Sequence, residues 1–370
     1  MKTAAPEKPT GHRIDWVDYA KGFCIIFVVM MHSTLGVEKA ADSQGWMHLA
    51  VQFAKPFRMP DFFLISGLFL GLVIDRSWLR YFDRKVVHFA YFYLLWTAIQ
   101  FTIKSPGMLL EGKGIADIAW LYLQTFVEPF GTLWFIYMLP LFFVVTRLLK
   151  HLPWQLVLAA AALLEILPVH SGYLVIDEFA SRYVYFFAGY LFANNIFALA
   201  DWARVNVGKS ALLLAGWLAI NATMTFAPVQ GAISAGLAGV PQIDFVSDLP
   251  VISLLLGGMG AIAVIVLASL LSMVRPAAFL GYLGRHSIVV YLAFFLPMAA
   301  TRVVLLKFAP FLDLGTVSLM VTIAGVAGPV VLLKLVQWSG RGKFLFERPG
   351  WAKLERPAQL PKAMQLHPAE

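Results

Sequence analysis

His32 is the residue of this chain whose type and place most invite chemistry. It closes an apolar run from Ile25 to Met31. A histidine is neutral at its ordinary pKa of about 6.5, and a neutral imidazole can accept the proton of a hydroxyl as a general base. Lys21 stands eleven residues earlier. On a helix that separation turns through about 1100°, within about 20° of three full turns, so both side chains share one face about 16 Å apart along the axis. Asp18, three residues before Lys21, lies on the same stripe. The plainer readings are a hydrogen-bonded core histidine and a lysine anchored at the membrane interface.

A second stretch runs Phe57-Arg58-Met59-Pro60-Asp61-Phe62-Phe63-Leu64-Ile65-Ser66-Gly67. Arg58 and Asp61 are spaced to pair on one helical face, and Pro60 interrupts the backbone ladder and can turn carbonyls toward a cavity. Ser66-Gly67 reads as small-residue helix packing ahead of a nucleophile, with Ser66 available to a ligand. Trp134 and Tyr137 share a face, as an aromatic belt or as a substrate wall, and Arg182 opens a later apolar run. His32, Arg58, Asp61, Trp134 and Arg182 fall at one depth. A histidine beside a carboxylate and cationic donors has the parts for general-base chemistry with charge stabilisation.

A different set gathers at the opposite depth, with Lys21 at its level. Arg76, Arg80, Arg84, Lys85 and His88 surround the start of a third apolar run. Such a group is either a topological anchor or a phosphate-binding site. Lys85, His88 and Arg84 are the candidates for the latter.

These residues need elements that cross a membrane. The 370 residues are 60% hydrophobic and only 14% charged, with a formal net charge of +8. A soluble domain carries about 25% charged residues and could not cover so much apolar side chain. A water-soluble enzyme, a disordered chain and a nucleic-acid binder are excluded, and membrane lipids are the expected surroundings. Cys24 is the single cysteine and sits in an apolar run; no disulfide framework and no cysteine-based metal site is expected. Ten apolar spans are predicted, near 17–36, 50–74, 86–103, 132–149, 155–170, 182–200, 210–227, 250–274, 286–306 and 315–337. The expected fold is an all-α integral membrane protein, a bundle of about ten transmembrane helices with both termini cytoplasmic. Residues 1–16 form an N-terminal segment, 17–337 the membrane domain and 338–370 an exposed cytoplasmic tail. Arg76, Arg80, Arg84, Lys85, Arg147, Lys150, Arg204, Lys209, Arg275 and Arg285 fall on the side of the termini, while most acids fall on the other, which is the positive-inside pattern.

Several segments together resemble the membrane-bound acyltransferase 3 family. Asp18, Lys21-Gly22 and His32 resemble its opening Asp-x-x-Arg-Gly…His signature. Met59-Pro60-x-Phe62-Phe63-x-x-Ser66-Gly67 resembles its Met-Pro-x-Phe-Phe-x-x-Ser-Gly segment. Leu133-Trp134-Phe135-Ile136 and Leu283-Gly284-Arg285-His286-Ser287, followed by Tyr291-Leu292, resemble two later ones. The likeness covers about residues 13–337. Three positions depart from the pattern: Lys85-Val86-Val87-His88 stands where the family has Arg-x-x-Arg, Phe294 falls in the region where a histidine often follows Tyr-Leu, and Asp61 replaces an apolar residue. The resemblance implies a multi-pass protein of a bacterial cytoplasmic membrane. Such a protein moves an acyl group, commonly from acyl-coenzyme A as co-substrate with no bound cofactor or metal, to a carbohydrate or related envelope acceptor. It also implies that His32 is essential.

On this reading His32, with Asp61 and Arg58 beside it, carries the transfer, and Arg58 or a nearby donor stabilises the oxyanion. Lys21, Lys85, His88, Arg84, Trp134, Tyr137, Arg182 and Ser66 bind donor or acceptor. Asp61 either orients His32 or pairs with Arg58. The alternative is a transporter or flippase of a lipid-linked or anionic solute, which would favour matching halves with broken helices; no internal repeat is visible. The charge asymmetry makes a first prediction. Reporters fused in the 37–49 loop or at Asp244 are expected outside, and reporters at Arg80 or the C-terminus inside; a cytoplasmic 37–49 loop overturns the depth assignment.

Overall fold

The computed structural model describes residues 14–229 and 243–354, and among them the protein is all-helical, with no strand. Helix α1 (Asp15–Ala41) is followed by α2 (Met47–Ala54), α3 (Arg58–Gly67) and α4 (Trp78–Phe82). A single π turn, Asp83–Val87, joins α4 to α5 (His88–Leu110). Then come α6 (Ile115–Gln124), α7 (Trp134–Leu149), α8 (Trp154–Ile166), α9 (Leu174–Leu191), α10 (Ala193–Val205), α11 (Val207–Phe226) and α12 (Pro250–Leu271). The chain ends with α13 (Ala278–Arg285), α14 (Ser287–Ala293), α15 (Phe295–Phe308) and α16 (Leu314–Ser339). Among the described residues six helical stretches are long and apolar enough to cross a membrane, and two bent pairs, α9–α10 at 75° and α14–α15 at 51°, bring the number to eight.

The expected spans at 50–74 and 155–170 take other forms. The latter holds the 13-residue α8. The former is divided between α2 and α3 by a turn at Lys55-Pro56-Phe57. Pro56 lacks the N–H that would continue α2. Pro60, expected to open carbonyls within a span, instead falls in the first turn of α3, where no intrahelical N–H is needed. The third stretch is longer than predicted, running 33 residues from Trp78 to Leu110 through the π turn. The expected termini, including Lys2, Lys8, Arg13 and residues 355–370, lie outside the described residues.

Helix α1 is the central element. It starts with Asp15 and Asp18, which suit the positive end of the helix dipole. It ends at Asp42, whose left-handed backbone (φ 50°) directs its N–H to the Glu38 carbonyl. Its neighbours approach closely because glycines line the contacts. A Cβ on Gly22 would lie 2.1 Å from the Leu280 carbonyl oxygen, and one on Gly284 would lie 1.6 Å from that of Asp18, so α1 and α13 meet backbone to backbone. The pair α3–α9 repeats the device with Gly67 and Gly189. Ser66-Gly67 is thus explained as packing: Ser66 Oγ donates to the Phe62 carbonyl (2.7 Å) while Gly67 admits α9.

The tail, expected to be exposed, is docked as far as it is described. After Gly340 and Gly342, both at positive φ, it turns back along α5. Tyr91 Oη donates to the Phe344 carbonyl and Trp96 Nε1 to that of Leu345, each at 3.0 Å. Arg348 then grips the first residue of the π turn. Its Nη2 donates to Asp83 Oδ2 and its Nη1 to the Asp83 carbonyl, both at 2.7 Å, while the Leu354 N–H reaches Oδ1. The two side chains are 7% and 5% exposed. Truncating one member of a buried pair strands the other. Arg348→Ala is therefore expected to lower the melting temperature of the detergent-solubilised protein by several degrees, and Asp83→Asn in the same chain should recover part of the loss. Unchanged melting in Arg348→Ala would show the contact to be dispensable.

Candidate active site

Helix α9 starts where the Leu174 N–H donates to Glu128 Oε1 (2.9 Å). One turn later Glu178 and Arg182 pair at i, i+4, with Arg182 Nε donating to Glu178 Oε2 at 3.1 Å. They face His32 of α1 and Arg58 of α3 across a cavity of about 180 Å³, which Trp134, Thr132, Met31 and Met59 also line. Two guanidiniums and one carboxylate leave this outer cavity net positive. Nε and Nη1 of Arg58 are buried without a hydrogen-bond partner among the described residues. Buried donors left unsatisfied by the protein are costly and suit an oxygen-rich ligand. The His32 ring lies 5.5 Å from that of Phe294 at a 32° tilt, so the region where the related pattern often has a histidine here sets an aromatic ring beside the imidazole.

A second cavity, about 240 Å³, lies beside the first. Lys21 of α1 and Lys85 of the π turn line it with Ser66 and Ser287, among Phe69, Phe89, Phe143 and aliphatic side chains. Lys85 Nζ sits 4.2 Å from the centre of the Phe143 ring. Lys85 lies within the inserted turn, and such turns re-aim the residues they contain.

The two cavities share three wall residues, Phe62, Phe135 and Tyr291. Phe62 meets Phe135 edge to face at 4.7 Å, and Phe135 meets Tyr291 at 5.6 Å. Tyr291 Oη accepts the Phe135 N–H (3.1 Å) and donates to the Thr132 carbonyl. One hydroxyl therefore holds the turn that begins α7, and it ties Tyr291-Leu292 to Leu133-Trp134-Phe135. The two segments are far apart in the chain but form a single piece of wall.

Of the residues selected from sequence, His32, Arg58, Trp134 and Arg182 line the outer cavity, and Lys21, Lys85 and Ser66 the inner one. Four lie elsewhere. Asp61 is 2% exposed, and neither carboxylate oxygen has a hydrogen-bond partner among the described residues. The expected pairing with Arg58 or His32 is absent, and the carboxylate of the outer cavity, Glu178, pairs with Arg182. Three residues of helix allow Arg58 and Asp61 to meet but do not require it: Arg58 lines the cavity and Asp61 is buried outside its lining. Tyr137 turns away and donates to the Phe126 carbonyl (2.9 Å). His88 packs edge-on against Phe89 and Phe92, and Arg84 is exposed. Sequence reasoning missed Glu178, Thr132 and Ser287. The i, i+4 spacing of Glu178 and Arg182 was a usable signal, and Ser287 stands in the Leu283–Ser287 segment that carries part of the family resemblance; Thr132 had none.

The family model described as an acyltransferase domain, acyltransferase 3, matches residues 14–334. The chain is 25% identical over 183 residues to the nodulation protein NolL of Mesorhizobium japonicum, covering 48% of each chain. It is 26% identical over 204 residues to NolL of Sinorhizobium fredii, covering 54% of each. It is 27% identical over 158 residues to the inner membrane protein YcfT of Escherichia coli, covering 37% of this chain and 44% of that one. The chain thus spans about half the length of the curated relatives it matches, and no solved structure matches it. The family match reaches from the start of α1 into α16, enclosing both cavities and the wall between them, and the protein belongs to the acyltransferase 3 family.

Proposed function

We propose that this protein is a membrane-bound O-acyltransferase of the bacterial cytoplasmic membrane. It moves an acyl group from acyl-coenzyme A to a hydroxyl of an envelope carbohydrate or related acceptor. The observation that carries the proposal is the pair of abutting cavities, with His32 and two guanidiniums in one and Lys21 and Lys85 in the other, inside the region matched by the acyltransferase family. An inner-membrane relative and two relatives named as nodulation proteins support the location and the general class.

The donor's phosphates sit at the mouth of the inner cavity, attracted by Lys21 and Lys85. Its acyl-bearing arm follows the face of α1 toward His32, about 16 Å away. The acceptor hydroxyl enters the outer cavity and gives its proton to His32 as its oxygen bonds to the thioester carbonyl carbon. Arg58, with donors to spare, stabilises the negative charge on the carbonyl oxygen. The C–S bond breaks, and the departing thiolate takes the proton back from His32. Arg182 is held by Glu178 and shapes the acceptor side. A transporter would draw on the two bent helix pairs, but it would form no covalent product, so acyl transfer separates the two readings.

His32→Ala is expected to reduce acyl transfer per folded molecule by a factor of about 10²–10⁴ and to leave donor binding intact. His32→Gln keeps polarity and most of the volume but cannot take the proton, and should be equally inactive. Acyl transfer by the Gln variant would remove His32 from catalysis.

Donor binding has its own test. Lys21→Ala and Lys85→Ala should each weaken acetyl-coenzyme A affinity at low salt, with the protein still inserted and folded. Unchanged affinity in both would return these lysines to a topological role.

A further inference from the structure

The wall between the cavities raises a question that the reaction scheme leaves open. The donor anchors at Lys21 and Lys85, yet the acceptor proton is taken at His32 on the other side of Phe62, Phe135 and Tyr291. Reacting atoms must come within about 3–3.5 Å of each other. The wall must therefore part for the acyl-bearing arm, and it must otherwise keep water of the outer cavity away from the thioester.

The three residues are not equally free to move. Tyr291 is fixed by two hydrogen bonds to the 132–135 turn. Apart from Phe62, Phe135 is held by Phe63 at 4.8 Å and Tyr291 at 5.6 Å, and it is 5% exposed. Phe62 is only half-buried, and Phe135 is its ring partner. The α3 backbone beneath it is held independently, by Gly67 against α9 and by Ser66 Oγ on the Phe62 carbonyl. Its ring, which borders both cavities, is therefore the least restrained of the three, and turning it about the side-chain bonds leaves the helix in place.

We propose that Phe62 is the movable leaf of a gate between the donor and acceptor cavities, with Phe135 and Tyr291 as its fixed frame. When shut it denies water access to the thioester; when open it admits the acyl group to His32. Its bulk limits the size of the acyl group that passes. This rests on the acyltransferase reading, and it makes a claim that reading does not. Loss of the leaf should convert transfer into leak: a water oxygen bonds to the carbonyl carbon, the C–S bond breaks, and the water's proton leaves with the thiol, giving free acid and coenzyme A.

The test measures two rates per folded molecule in membranes containing the full chain. One is release of free coenzyme A from acetyl-coenzyme A without acceptor, and the other is transfer of labelled acetyl to envelope material. Phe62→Ala is expected to raise acceptor-free hydrolysis about tenfold or more and to accept butyryl-coenzyme A better than the parent does. Phe62→Trp should slow transfer without raising hydrolysis. Because an alanine here can lower the folded yield, Phe62→Leu supplies a second, milder opening with an intermediate leak. If the parent protein transfers acetyl while the Ala and Leu variants hydrolyse no faster than it, or the Trp variant transfers as fast, the gate is refuted and the acyltransferase reading stands. If the parent transfers no acyl group from a panel of acetyl-, butyryl- and longer-chain acyl-coenzyme A, the acyltransferase reading falls, and the gate with it.

Discussion

An ionised side chain cannot face hydrocarbon, and this constraint organises the whole bundle. Lys21, His32, Arg58, Glu178, Arg182 and Lys85 lie in or beside apolar helices, so each must turn inward, and the interior must stay hollow where they meet. Helix α1 carries two of them and is enclosed by α3, α12, α13 and α16. The enclosure depends on glycines that bring backbones into contact. Close packing in the layer around Gly22 and Gly284 and open space near Lys21 and His32 are two results of the same arrangement. Where side chains are removed, helices touch; where charges are kept, they stand apart.

The cavities also differ in character. The inner one is mainly aromatic and aliphatic, with Lys21 and Lys85 in its lining. The outer one is smaller and more polar, with guanidiniums and a carboxylate. Its paired Arg182 is a fixed part of the wall, while the unpaired edge of Arg58 is available to a ligand. The same residue type therefore takes two parts in one cavity, and the presence or absence of a carboxylate partner distinguishes them.

Much of this was legible in the sequence, for reasons specific to each residue. The one-face relation of Lys21 and His32 needed only the helical period, and the membrane class needed only the scarcity of charge. The shared depth of His32, Arg58, Trp134 and Arg182 followed from alternating the apolar spans. Asp61 was misread because spacing along a helix says which residues are able to meet, not whether they do, and here neither carboxylate oxygen of Asp61 reaches a partner among the described residues. The docking of Arg348 on Asp83 and the hold of Tyr291 on the 132–135 turn join positions 265 and more than 150 residues apart. No local pattern encodes such contacts. The tail was expected to be exposed because of its prolines, yet an irregular segment can still be anchored at a few points, here through Tyr91, Trp96 and Arg348.

The π turn at Asp83–Val87 has a further consequence for how the long third stretch tolerates change. A π turn holds one residue more than the α-helix around it, so it works as a phase adjuster between two helical halves. Upstream, Trp78 and Tyr81 are locked in register by the Arg147 guanidinium, 4.0 and 4.4 Å from their ring centres. Downstream, Phe89 is locked by the inner cavity and Trp96 by the returning tail. Winding residues 83–87 as regular α-helix with none removed would give the locally better hydrogen-bonded form. It would also rotate one half against the other by roughly 100°. The irregularity is the joint that lets one helix satisfy two unrelated sets of neighbours, so a change that improves the helix would misalign the protein.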